Sequence, residues 1–166
     1  MAIRLVPLAL EHLPHVMTWV NDHEVMQYFA NRQRDISEAE ERAYIEQLIA
    51  SKNDRVFSIF DDEAYVGQCS VNQIYWPARN GRAFLVVTKA MQHGGRGTQA
   101  MRELLAQAFG PMGLEKVWLI VRKDNRAAQA MYLKLGFEFE GVLRREYCVG
   151  DTYFDMVRMA AFKPAP

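Results

Sequence analysis

The chain has no surplus of either charge. Its 166 residues carry 20 Lys+Arg and 20 Asp+Glu, a formal net charge of zero. Proteins that coat nucleic acid or an anionic membrane need a basic excess, so neither partner is expected. Long apolar runs are also missing: Val117 to Val121 is typical of the longest, far short of the roughly 20 residues that cross a bilayer. Near the start, Pro7, Glu11 and His12 interrupt the apolar residues before a secretory core can form. Cysteine is scarce. Cys69 and Cys148 stand alone, without the CxxC spacing of a zinc site or the clusters of a disulfide framework. Both are expected to be buried structural thiols in a cytoplasmic protein that binds no metal.

What is present suits a folded enzyme-sized unit. Half of the chain is apolar and 24% is charged, so disorder is excluded and a core can be buried. Residues 1–166 are read as a single domain, since no repeat, low-complexity tract or long linker divides them. Ile3 to Val6 reads as a strand. Leu13, Val16, Met17 and Val20 then repeat at helical spacing. Ser37 and Glu40 have the spacing of a capping box, with Tyr44, Ile45, Leu48 and Ile49 as the apolar stripe behind it. Val56 to Phe60 and Tyr65 to Val71 flank a turn at Asp61-Asp62-Glu63, as in a hairpin. Ala83 to Val87 is a compact apolar strand. A helix from about Thr98 carries Met101, Leu104, Leu105 and Ala108 on one face and stops at Gly110-Pro111. Val117 to Val121 is a strand, and Asn125 can cap a helix bearing Ala128, Met131, Tyr132 and Leu135. Two final strands, Phe137 to Tyr147 and Thr152 to Met159, meet at Gly150-Asp151. The expected order is β-α-α-β-β-β-α-β-α-β-β, a mixed α/β (α+β) fold.

Net zero conceals a sorted distribution. Between Arg79 and Arg102 lie five basic residues (Arg79, Arg82, Lys89, Arg96, Arg102) and no acid. Between Asp22 and Glu46 lie seven acids (Asp22, Glu24, Asp35, Glu38, Glu40, Glu41, Glu46) against Arg32, Arg34 and Arg42. The first region suits an anionic ligand and the second a cationic one. Inside the basic region, Gln92-His93-Gly94-Gly95-Arg96-Gly97-Thr98 joins a strand to a helix. Glycines there let the backbone approach a ligand, and the free amides of the helix start favour an anion. The spacing fits neither a dinucleotide fingerprint nor a P-loop.

The run Gln92-x-x-Gly95-x-Gly97, strand before and helix after, resembles the Q/R-x-x-G-x-G/A motif of the GCN5-related N-acetyltransferases (GNAT). Asn125-x-x-Ala128-x-x-x-Tyr132-x-Lys134-x-Gly136-Phe137, followed by Glu140-Gly141, resembles the family's second block. The resemblance implies a mixed, mostly antiparallel, twisted sheet of about seven strands flanked by about four helices. It implies acetyl-CoA as cosubstrate. Amides from His93 to Thr98 would hold the pyrophosphate, backbone near Val86 and Val87 would bond pantetheine and the oxyanion, and Asn125 would touch the cofactor where two strands splay. Tyr132 would protonate the leaving thiolate, although its place among Ala128, Met131 and Leu135 also fits a core tyrosine.

The family's strand glutamate is absent, and its place falls near Arg82. Asp22, His23 and Glu24 then come forward as acceptor-side groups, His23 as a candidate base. Tyr153 and Asp155 are weaker acceptor-side candidates. The layout is similar to the branch of ribosomal-protein N-terminal acetyltransferases, which spermidine and some nucleotide-amino-sugar acetyltransferases share. The expected reaction is direct acetyl transfer to a primary amine, either a small molecule or a peptide N-terminus. A non-catalytic acyl-CoA sensor or partner-binding domain on the same fold is the alternative. A homodimer is the default for a small enzyme of this kind.

Overall fold

Seven strands form one sheet in the order β1-β2-β3-β4-β5-β7-β6. The computed structural model describes residues 1–29 and 34–166. The strands are β1 (Ile3–Pro7), β2 (Arg55–Asp61), β3 (Ala64–Tyr75), β4 (Asn80–Val87), β5 (Lys116–Arg122), β6 (Glu138–Val149) and β7 (Thr152–Phe162). The described α-helices are α1 (Leu13–Met17), α2 (His23–Met26), α3 (Glu38–Ala50), α4 (Arg96–Phe109) and α5 (Arg126–Lys134). The mixed, mostly antiparallel sheet agrees with expectation. The helix beyond the expected four is α2, a single turn that forms because the Asp22 carboxylate accepts from the Glu24 and Val25 amides at 3.0 and 3.2 Å.

Local chemistry sets the other helix starts as well. Ser37 Oγ accepts from the Glu40 amide at 3.2 Å, and the Glu40 carboxylate accepts from the Ser37 amide at 2.8 Å. Asn125 Oδ1 accepts from the Ala128 amide at 3.2 Å and opens α5. The α3 stripe differs from the one read in the sequence. Tyr44 and Ile49 are exposed, whereas Glu41, Ile45 and half-buried Leu48 face inward at i, i+4, i+7. Cys69 is buried, and burial pushes its thiol up. Cys148 is only half-buried, with its Sγ 3.0 Å from the Gly150 carbonyl.

Two apolar layers cover the sheet. On one face, Met101, Leu104 and Ala108 of α4 and Tyr132 of α5 pack against Leu85, Val117, Leu119, Val157 and Met159. On the other, Leu13, Val16 and Ile45 of α1 and α3 pack with Val56 and Val86. Alternate residues of β4 therefore serve different layers: Ala83 and Leu85 face α4, while Phe84 and Val86 face α1 and α3.

All neighbouring strands pair antiparallel except β4 and β5. Those two are joined by α4, and a crossover helix returns the chain parallel. Their ladder is short: Asn80↔Lys116, Gly81↔Val117 and Arg82↔Trp118 pair, then the strands part. From Ala83 to Val87, β4 keeps its partner β3 but has none on its β5 side.

Candidate active site

The parted strands open a cleft of about 370 Å³ between β4, the glycine loop, α5 and the turn after α2. Val86, Val87, Gln92, His93, Gly95, Gly97, Thr98, Asn125, Tyr132 and Glu24 all line it. Leu85, Tyr28, Phe29, Met91 and Met131 are also among its walls. These five carry no motif of their own, and only the cleft's shape identifies them. Gly94, Arg96, Asp22, His23, Tyr153 and Asp155 are not among the lining residues.

Pairing decides which backbone groups face the gap. The Thr88 amide donates to the Val66 carbonyl at 2.9 Å. Antiparallel pairs alternate between bonded and non-bonded, so Val86, opposite Gln68, also turns its amide and carbonyl towards β3. Leu85 and Val87 turn theirs the other way. The Gln92 side-chain amide accordingly reaches the Val87 carbonyl at 3.0 Å. Val86 thus lines the cleft without offering it backbone bonds, and Val87 retains an amide directed into the gap.

The loop turns sharply into α4. Gly95 sits at φ +79°, where an L side chain is strained, and it precedes the first turn of α4. No side chain caps that turn and no acid lies within it, so the Arg96, Gly97 and Thr98 amides remain available to a ligand. Gly97 lies against β4: a Cβ there would meet the Val87 and Leu85 side chains at 3.4 and 3.5 Å. The Arg96 side chain takes a different course, since its Nε donates to Asp61 Oδ2 at 2.9 Å.

Tyr132 is 9% exposed and its ring lies 5.4 Å from that of Phe137. Burial pushes its phenol up to about 12. It is a core tyrosine that also lines the cleft. Asn125 spends its Oδ1 on capping α5 and also lines the cleft.

The acceptor-side candidates are dispersed. Asp22 is the cap of α2. His23 is exposed, with Nε2 3.9 Å from Asp35. Glu24 reaches the cleft but meets Lys89 Nζ at 2.7 Å. Asp155 accepts from the Arg145 amide at 2.8 Å, and Tyr153 is exposed at the start of β7.

Tertiary pairing also redraws the charge map. The basic region is not unopposed: Arg79 lies 3.7 Å from Glu115, Lys89 meets Glu24 and Arg96 meets Asp61. In the acidic region, Glu38 pairs with Arg42 at 3.6 Å and Glu40 with Arg34 at 2.6 Å. Arg34 and the Ser37 amide hold the Glu40 carboxyl down at about 2. Arg32 lies outside the described residues.

Comparison with known proteins gives the same picture. The chain is similar to the spermidine N(1)-acetyltransferase of Escherichia coli, 27% identical over 98% of this chain and 87% of that protein. It is 44% identical to the N-alpha-acetyltransferase RimI of Mycobacterium tuberculosis over 40% of this chain and 41% of that protein. The crystal structure of a spermidine N-acetyltransferase from Vibrio cholerae, in complex with CoA and spermine, superposes with a TM-score of 0.91 at 22% identity. That match covers 97% of this chain and 95% of the other and establishes the shared fold. Residues 2–138 match the family model of the acetyltransferase (GNAT) domain, and the chain therefore belongs to the GNAT acetyltransferases, enzymes that move acetyl from acetyl-CoA to an amine.

Proposed function

We propose that acetyl-CoA lies with its pyrophosphate on the first-turn amides of α4 and its pantetheine arm in the gap between β4 and β5. The parting of β4 from β5 beyond Arg82↔Trp118 carries this reading. It leaves a strand edge without a partner beside a helix start without a cap, and an amide-bearing, phosphate-bearing arm satisfies both.

Bound acetyl-CoA supplies a thioester carbonyl for an amine to attack. The Val87 amide is the candidate oxyanion donor, because it is preorganised by the β3 ladder and directed into the gap. Tyr132 acts on the departing sulfur. A phenol held near 12 stays protonated at neutral pH, while an ordinary thiol ionises near ~8.5. Complete proton transfer from Tyr132 would therefore run uphill by roughly 3–4 pK units. Hydrogen-bond donation is the role its environment favours, with the sulfur's proton coming ultimately from the attacking amine. No dedicated base is assigned: His23 is off the cleft, and Glu24 is held by Lys89. Water is the proposed proton acceptor.

The acceptor is the primary amine of a small molecule or a peptide N-terminus, entering from the α1–α3 side. A homodimer fits the exposed outer strand β6, which displays Phe139 and Val142. Thiol release from acetyl-CoA, followed with spermidine, amino sugars and short peptides, tests the enzyme reading. Release with at least one amine is expected. Binding of acetyl-CoA with no release on any amine would instead assign an acyl-CoA sensor.

A further inference from the structure

Among the five basic residues between Arg79 and Arg102, Arg82 differs from the rest. Arg79, Lys89 and Arg96 each meet a carboxylate, and Arg102 is exposed on α4 with Gln99 as its neighbour. Arg82 is half-buried, yet among the described residues no carboxylate pairs with it and no acceptor takes its N–H groups. Its guanidinium carbon lies 5.9 Å from the centre of the Trp118 ring. Burial pulls its pKa down, the sign of a charge partly stripped of water, and the Tyr147 phenol from β6 lies near enough to oppose that shift. A guanidinium carries five donors in a planar fork that matches a carboxylate or phosphate.

Its position gives this vacancy a meaning. Arg82 belongs to the last β4–β5 pair, at the vertex from which the gap opens. Alternation sets its side chain on the face shared by Phe84 and Val86, the face covered by α1 and α3 and opposite to α4. Arg82 lies about 10 Å along the strand from Leu85, beside the cleft rather than among its lining residues, so a group carried some ångströms from the reacting amine could meet it. Neighbouring charges on this face are occupied: Arg158, whose guanidinium lies 4.0 Å from the centre of the Trp118 ring, is bonded to Glu140 at 3.3 Å, and Arg122 is bonded to Asp124 at 2.7 Å. The acids between Asp22 and Glu40 are largely engaged locally, so they offer little to a polycation.

We propose that Arg82 is a specificity-determining residue of the acceptor site, and that the acceptor carries a carboxylate or phosphate in addition to its reacting amine. This rests on the acetyl-transfer reading above and narrows its substrate class. It also departs from the substrate named for the spermidine-acetylating relatives.

Matched acceptor pairs test it: alanyl-alanine against its C-terminal amide, and glucosamine 6-phosphate against glucosamine, with spermidine as the cationic probe. The wild-type enzyme should prefer the anionic member of at least one pair by about tenfold or more in kcat/KM, as charge-assisted pairing predicts. The peptide pair and the sugar pair separate carboxylate from phosphate recognition. Arg82→Gln should bring that ratio close to one through KM, while Arg82→Lys, which keeps the charge but not the fork, should retain part of it. Acetyl-CoA affinity and thermal melting check that both variants fold. Equal rates within both pairs, or a preference for spermidine that Arg82→Gln leaves unchanged, would overturn the proposal and leave acetyl transfer standing. Thiol release with none of these amines would overturn both.

Discussion

Arg96 Nε donates to Asp61 Oδ2 at 2.9 Å, and Asp61 Oδ1 accepts from the Ala2 amide at 2.8 Å. The arginine inside the glycine loop is thereby tied to the end of β2 rather than to the cleft. Its guanidinium fastens the start of α4 to the sheet, and its backbone amide remains at the proposed anion site.

Gly95 and Arg96 should therefore respond oppositely to substitution. Arg96→Gln removes the ion pair and should lower Tm while changing the acetyl-CoA Kd by no more than about threefold, since backbone amides bind the anion. Gly95→Val forces a β-branched residue to φ +79°, at a cost of roughly 1–2 kcal/mol or more, and displaces those amides. Calorimetry should then show acetyl-CoA binding weakened by about tenfold. The reverse order of effects would make the Arg96 side chain the anion ligand.

Tyr132→Phe keeps the ring that packs on Phe137 and removes only the hydroxyl. Steady-state kinetics with a good acceptor should show kcat reduced by about ten- to a thousandfold, typical of losing a donor at a developing charge. The acetyl-CoA KM should change little. Wild-type turnover in this variant would return Tyr132 to a purely structural role.

His12 predicts how stability varies with pH. Its Nδ1 accepts from the Ala9 amide at 3.2 Å and lies 2.9 Å from Ser58 Oγ, and burial lowers its pKa below 6.5. Glu11 opposes that shift and His15 adds to it. With a folded pKa below the unfolded one, the unfolded chain takes up the proton first as pH falls. The contribution is complete above about 6.5 and is lost as pH drops through 6.5 towards the folded pKa. Thermal melts between pH 7 and 5 should show wild type losing Tm more steeply than His12→Gln. Parallel slopes would remove His12 from the account.

Much of the fold was readable because its signals are local. Ser37 and Asn125 cap helices because their side chains reach amides three residues ahead. Gly95 marks the loop because its left-handed turn favours the residue without a Cβ. Asp22 carries the same kind of signal, a capping carboxylate before Glu24 and Val25. The α3 stripe misled because Tyr44 and Ile49 are apolar, while buried Glu41 sits at the inward position.

The sequence by itself determined the acetyltransferase motifs, the glycine loop, and where helices and strands begin. It could do so because capping, turn formation and periodicity act within a few residues along the chain. Only the tertiary structure decided how far β4 and β5 stay paired, that the Val87 amide rather than the Val86 amide is directed into the gap, and which charges are neutralised. Each of these depends on groups far apart in sequence, such as Asp61 and Arg96, and a Coulombic or ladder partner is set by distance in space. The zero net charge is thus mostly a set of local and cross-strand pairs, while half-buried Arg82 meets no carboxylate among the described residues.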